Sequence, residues 1–149
     1  MKNFNEQLEN HIEIMKSLTG FDEDLNRLIV KMKKIIEDKN KIFFCGNGGS
    51  ASDSEHLCAE FVGRFKKNRE PYPAISLNSN IANITCISND YGYNQLFARQ
   101  LEALASKNDI LFVLTTSGNS ENVIEGLKQA KMIGMQTITF LGKDGGKCK

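Results

Sequence analysis

Two short apolar runs constrain this chain more than anything else in it. Residues 41–46 (KIFFCG) and 109–115 (DILFVLT) are rich in β-formers and stop at small residues. Behind each comes a turn built from Gly, Ser, Thr and Asn, and then helical spacing, over 51–65 after the first run and 122–134 after the second. Residues 73–77 and 136–141 read as two further strands, and 81–88 and 94–105 as two further helices. Strands that alternate with helices form βαβ units, which assemble as a parallel sheet with right-handed crossovers. The expected fold class is therefore α/β, with a parallel sheet flanked by helices.

Ahead of the first strand, Phe4, Leu8, Ile12 and Met15 share one helical face, and Leu25, Leu28, Ile29, Met32, Ile35 and Ile36 share another. Gly20 separates the stripes and Asp22 can cap the second, so an N-terminal helical hairpin is expected. Such stripes serve either the domain core or a bundle with another subunit, and both uses stay open. No repeat or linker divides the chain, so one domain over 1–149 is expected. After the fourth strand the chain ends in the glycine-rich 142–149. A βα pattern calls for a closing helix, so the natural chain is expected to continue beyond Lys149.

Charge narrows the partners. Lysine and arginine number 19 against 18 aspartate and glutamate, a formal charge of +1. That balance argues against a broad nucleic-acid face or a polybasic membrane patch, and leaves room for a local anion site. No apolar run approaches the ~18–20 residues of a membrane span. The opening MKNFNEQLEN lacks a secretory apolar core. Cys45, Cys58, Cys86 and Cys148 form no CxxC pair, so reduced thiols in a cytoplasmic protein are expected.

Gly46-Asn47-Gly48-Gly49-Ser50 joins the first strand to its helix. Successive backbone N–H groups there can form a nest, the helix N-terminus adds partial positive charge, and Ser50 adds a hydroxyl. The sequence is neither a Walker loop nor GxGxxG. The other reading is a tight turn whose glycines only permit unusual dihedrals. In the second loop, Thr115-Thr116-Ser117-Gly118-Asn119-Ser120, the hydroxyls either cap the helix or hold a phosphate without a formal cation. Two such loops at strand carboxyl ends favour phosphate or sugar-phosphate binding. Between them, His56, Glu60 and Arg64 fall at i, i+4 and i+8 along one helical stripe. An imidazole and a carboxylate one turn apart can share a metal ion, or the carboxylate can transfer a proton. The same stripe also suits a solvated face with a Glu60–Arg64 ion pair. His11 is expected at a surface or interface and Cys58 in the core. Asn89-Asp90-Tyr91-Gly92 reads as a polar turn.

Taken in order, Cys45-Gly-Asn-Gly-Gly-Ser50, His56-Leu-Cys-Ala-Glu60 with Gly63-Arg64, Asn89-Asp90, the 115–120 loop and Leu141-Gly-Lys-Asp-Gly-Gly146 resemble the phosphoheptose isomerase family of the sugar-isomerase (SIS) fold. The resemblance covers nearly the whole chain. It implies a five-stranded parallel sheet, four strands of it here and a fifth beyond Lys149, in a homotetramer with active sites at subunit interfaces. It implies conversion of sedoheptulose 7-phosphate to D-glycero-D-manno-heptose 7-phosphate through an enediol, the first step toward heptoses of lipopolysaccharide or capsule. Zinc is the implied cofactor, with His56 and Glu60 as ligands and Glu60 also the acid/base carboxylate. A glutamine and a histidine beyond Lys149 would complete the ligands and the second proton-transfer group. Asn47, Gly48, Gly49 and Ser50 would contact substrate, and Thr115, Thr116, Ser117 and Ser120 would form the phosphate and sugar pocket. Asn89 and Asp90 would add polar contacts, and Arg64 would reach a site, its own or a neighbour's. The alternative is a non-catalytic SIS-fold regulator of replication initiation that binds sugar phosphate. Glu60 beside His56 favours the enzyme. Neither nucleic acid nor a membrane is expected as a partner.

Overall fold

The computed structural model describes residues 3–149. The chain divides into two compact units, the first ending at Lys34 and the second running Ile35–Lys149. In the first, helix α1 (Phe4–Ser17) opens with a reciprocal cap: Asn3 accepts the Glu6 N–H at 2.9 Å and the Glu6 carboxylate accepts the Asn3 N–H at 3.1 Å. The break expected at Gly20 is a single 3-10 turn, Leu18–Phe21, that leads straight into α2 (Asp22–Glu37). Asp22 is the first residue of α2, in helical dihedrals, rather than its cap. Gly20 takes no positive φ, so nothing there reverses the chain. The two helices follow one another as a long helical run and do not pack along each other as a hairpin. Phe4, Leu8, Ile12 and Met15 all lie exposed on α1.

The second unit is a four-stranded parallel sheet of order β2-β1-β3-β4, formed by β1 (Ile42–Gly46), β2 (Ala74–Ser76), β3 (Ile110–Thr115) and β4 (Gln136–Leu141). Ile42 pairs with Ala74 on one side and with Ile110 on the other, and Ile110 pairs with Gln136. Every residue of β1 is buried, as a central parallel strand requires. Alternation divides its side chains. Phe43 and Cys45 join Leu111 and Val113 in the main core, packed with Phe97 and Leu101 of α5 (Leu96–Leu104) and with Val123 and Ala130 of α6 (Glu121–Ile133). Each large side chain fully buried this way contributes about 1.5–3 kcal/mol. On the opposite face an aromatic row crosses the sheet. Phe61 of α3 (Gly49–Val62) lies 5.6 Å from Phe44, Phe44 lies 5.3 Å from Phe112, and Phe112 lies 6.3 Å from Phe140.

The winding places the site. From β1 the chain crosses through α3 to β2 on one side, and from β3 it crosses through α6 to β4 on the other. β1 and β3 are adjacent, so the direction of winding changes between them and their carboxyl ends flank a switch-point crevice. The amino ends of the same strands are tied by Asp109, only 1% exposed, which accepts the Lys41 N–H at 2.7 Å and the Ser106 N–H at 2.7 Å and meets Lys41 Nζ at 3.2 Å. Among the described residues no helix is long and apolar enough to cross a membrane.

Candidate active site

The first loop leaves β1 at Gly46, whose neighbours admit no side chain. A Cβ there would come within 2.7 Å of Ser50 and 2.8 Å of the Leu114 carbonyl. Its backbone is satisfied by Asn78, just past β2, which accepts the Gly46 N–H at 3.2 Å and donates to the Gly46 carbonyl at 2.9 Å. The Asn78 amide thus extends the ladder one step beyond the strand. Gly48 sits at φ +60 and precedes α3, with no side chain capping that helix. Gly48 and Gly49 are exposed and face open space. The Ser50 N–H turns back to the Asn47 carbonyl at 3.1 Å and the Ala51 N–H to the Gly48 carbonyl at 3.0 Å, so the exposed backbone of Gly48 and Gly49 is the part of this N-terminus that suits an anion.

The second loop is held from behind. Segment 142–148 lies against it: the Gly142 N–H donates to the Thr115 carbonyl at 3.1 Å, Cys148 N–H to the Gly118 carbonyl at 3.1 Å, and Lys147 N–H to Asn119 Oδ1 at 3.2 Å. Thr115 Oγ1 accepts the Gly118 N–H and Ser117 Oγ the Asn119 N–H, both at 3.2 Å. A hydroxyl that accepts a backbone N–H keeps its own hydrogen for another acceptor, such as a phosphate oxygen. Ser120 occupies the cap position of α6, but its side chain makes no capping bond. Thr116 is exposed.

Two residues not anticipated from the sequence, Asn122 and Tyr93, join the loops through Asn47. Asn47 and Asn122, the second residue of α6, exchange a reciprocal pair of amide bonds. Asn47 Nδ2 donates to Asn122 Oδ1 at 2.8 Å, and Asn122 Nδ2 donates to Asn47 Oδ1 at 2.9 Å. The Tyr93 hydroxyl, from the turn between α4 (Ile81–Tyr91) and α5, donates to Asn47 Oδ1 at 2.9 Å. Asn122 is 2% exposed, so its two bonds to Asn47 are shielded from water and correspondingly costly to break, whereas the Tyr93 bond lies at the surface.

On α3, His56 Nε2 and Glu60 Oε1 are 3.5 Å apart, with the imidazole well exposed and the carboxylate partly buried. Two ligands bound to one tetrahedral zinc at ~2.0–2.2 Å stand at about this separation, so the donor pair fits half of a zinc shell. Among the described residues no group of three or more His, Cys, Asp or Glu side chains converges. Arg64 departs from its expected place: α3 ends at Val62, and Arg64 lies beyond Gly63, off the His56–Glu60 stripe. The cause is Arg69. Its guanidinium donates to the carbonyls of Glu60 at 2.6 Å and Phe61 at 2.9 Å, and it lies 3.9 Å over the Tyr72 ring. A cation that takes the last carbonyls of a helix closes it and suits its negative end. Asn89 and Asp90 are not in a turn but in the last turn of α4, where Asn89 Nδ2 donates to Asp90 at 2.7 Å. Asp90 also accepts from the exposed Cys86 thiol, which that bond holds above its ordinary pKa. Cys58 is half-buried rather than a core residue. Burial pushes the Cys45 thiol far up, leaving it a neutral packing group. No hydrogen bond or ion pair among the described residues joins His56, Glu60, Asn89 or Asp90 to either loop.

A doubly wound parallel sheet with two small-residue loops at its switch point defines an α/β protein whose ligand site lies at the carboxyl ends of β1 and β3. Residues 4–142 match the SIS domain family. The chain is 49% identical over 134 residues to a phosphoheptose isomerase of Helicobacter pylori, covering 90% of this chain and 70% of that one. It is 53% identical over 112 residues to a phosphoheptose isomerase of Aquifex aeolicus, covering 75% of this chain and 59% of that one. The fold superposes on the structure of a phosphoheptose isomerase from Francisella tularensis with a TM-score of 0.86 at 31% identity, over 99% of this chain and 80% of that one. A Neisseria gonorrhoeae phosphoheptose isomerase gives 0.85 at 33%, over 98% and 79%. The chain belongs to the SIS domain family and, in it, to the phosphoheptose isomerases.

Proposed function

We propose that this chain acts as an aldose–ketose isomerase that interconverts sedoheptulose 7-phosphate and D-glycero-D-manno-heptose 7-phosphate. The observation that carries the reading is near-half identity, across nine tenths of the chain, to a relative bearing that isomerase name. The matched relatives carry an enzyme's name, and the non-catalytic regulator is not favoured.

The chemistry follows from the residues. The phosphate is anchored by the hydroxyls of Thr115, Thr116, Ser117 and Ser120 at the α6 N-terminus, and Asn47, Gly48, Gly49 and Ser50 contact the sugar phosphate beside it. Anchoring far from the reacting carbons fixes their orientation. Isomerisation removes a proton from C1 and adds one at O2 to give the enediol; a proton then enters at C2 as O1 gives one up. Glu60 carries the carbon-bound proton. His56 and Glu60 are the residues that would hold zinc, with the remaining ligands from chain beyond Lys149. When bound, zinc would polarise the carbonyl and hydroxyl oxygens. Arg64, Asn89 and Asp90 add polar contacts.

Two features support assembly as a homotetramer with sites shared between copies. Ser50 and Glu60 stand ten residues apart on α3, about 15 Å of axial rise, a separation consistent with loops and proton carrier contributed by different copies. The exposed apolar stripe of α1 suits burial against further copies. The reading includes a cytoplasmic location, where exposed Cys86 stays reduced, and a product that feeds heptoses of lipopolysaccharide or capsule.

Proton NMR of sedoheptulose 7-phosphate incubated with the full-length gene product tests the reading. The aldose phosphate should appear, and Glu60→Gln should lower turnover by ~10²–10⁴-fold with substrate binding retained. No conversion by the wild type, with sugar phosphate still bound, would return the regulator to favour.

A further inference from the structure

The amide cluster that bridges the loops carries more than a packing role, because its polarity is fixed from one end. The backbone N–H of Val123 is shared between the Ser120 carbonyl and Asn122 Oδ1, each at 3.0 Å. Flipping the Asn122 amide would set two donors against each other, so the oxygen must face Val123. The Asn122 nitrogen must then face Asn47, at 2.9 Å from an atom that can only be the Asn47 oxygen. With Asn47 oriented, the Tyr93 hydroxyl at 2.9 Å has to donate. Both lone pairs of Asn47 Oδ1 are thereby taken, and one of its two N–H bonds is taken by Asn122 Oδ1 at 2.8 Å. A single N–H remains.

We infer that Asn122 and Tyr93 are positioning residues that lock the Asn47 amide so that it offers substrate one donor and no acceptor. The inference rests on the reading of Asn47 as a substrate contact. Its chemical consequence is selectivity for an acceptor at that point, meaning a phosphate, carbonyl or deprotonated oxygen, including the oxygen charge that grows as an enediol forms. A freely rotating asparagine would serve a hydroxyl donor equally well. The cluster also makes the β1 loop and the α6 N-terminus move as one, since Asn47 and Asn122 belong to different crossovers.

The test is a mutant cycle in the full-length enzyme: Asn47→Ala, Asn122→Ala and the double variant, with Asn122→Asp and Tyr93→Phe beside them. Circular dichroism checks folding in each. Both kcat/KM and the dissociation constant for sedoheptulose 7-phosphate are read. Asn47→Ala and Asn122→Ala should each lower kcat/KM by ~10–100-fold, the scale of a misplaced contact. The double variant should fall no more than about twofold below the worse single one, because the second residue acts only through the first. Asn122→Asp keeps the shape and the acceptor for Val123 but cannot donate to Asn47, and should match Asn122→Ala. A space-filling role would instead leave it near wild type. Tyr93→Phe, at an exposed position, carries the test if the Asn122 variants do not fold; its loss should vanish in the Asn47→Ala background. Multiplicative losses, or an Asn47→Ala variant with unchanged kcat/KM and affinity, would overturn the inference. If the wild type binds the sugar phosphate without turning it over, the isomerase reading fails and the same cycle, read on affinity, decides the coupling.

Discussion

The loop after β1, Asn47-Gly-Gly-Ser50, and the loop after β3, Thr116-Ser-Gly-Asn-Ser120, are both built from small residues, and glycine serves each differently. In the first, Gly48 and Gly49 border empty space, with nothing within 4 Å of an added Cβ. In the second, Gly118 sits at φ +62 with its α-carbon against the Gly145 carbonyl, while Gly142 would place a Cβ 2.8 Å from the Thr116 carbonyl. The first loop uses missing side chains to expose backbone. The second uses them to let two loops stack, so that four hydroxyl-bearing residues are held from behind by 142–148. Two loops of small residues therefore give one surface that is open to a ligand and one that is braced for it.

The sharpest way to break this contrast is Gly118→Ala. A positive φ and overlap with Gly145 should together cost at least ~3 kcal/mol, lowering Tm by ~6–12 °C in thermal denaturation. An unchanged Tm would mean that 142–148 does not brace the loop. Ser120→Ala comes next. Its side chain makes no capping bond, so stability should move by less than ~0.5 kcal/mol instead of the ~1 kcal/mol of a lost cap. Loss of one hydrogen bond to a charged phosphate should meanwhile raise KM by ~10-fold or more in the isomerase assay. A drop in Tm with KM unchanged would make Ser120 a cap. The smallest effect on the fold belongs to Gly49→Ala, where φ is not positive and the space is free. Stability should hold or rise by ~0.4–1 kcal/mol, and any loss in substrate affinity would then report ligand approach to the backbone alone.

The same contrast explains what the sequence made legible. β1, β3 and their loops declare themselves, because short apolar runs that end in Gly or Thr-Ser are local patterns. His56 and Glu60 do too, one helical turn apart. Arg64 was misplaced because helical spacing continues through it, while the residue that ends α3, Arg69, acts on carbonyls eight and nine positions back. Asn89 and Asp90 favour turns, but Gly92, at φ +90, puts the turn after them. Asn78, Tyr93 and Asn122 reach partners 32, 46 and 75 residues away, and no local period encodes such a bond. The available signal was a second asparagine just inside α6, beyond the loop's hydroxyls. It looks like an ordinary first-turn residue until the fold brings Asn47 to it.

The sheet order also sets a timetable. β1 is the most buried strand, yet Ile42 meets Ala74 only after 32 further residues and Ile110 only after 68. At ~5–20 residues per second of synthesis, the apolar segment IFFC waits about 3–14 s for its second neighbour to be made. During that interval it is among the stickiest parts of the nascent chain. Demand for a chaperone should therefore peak before β3 emerges and fall once the two strands that hold the substrate loops have paired.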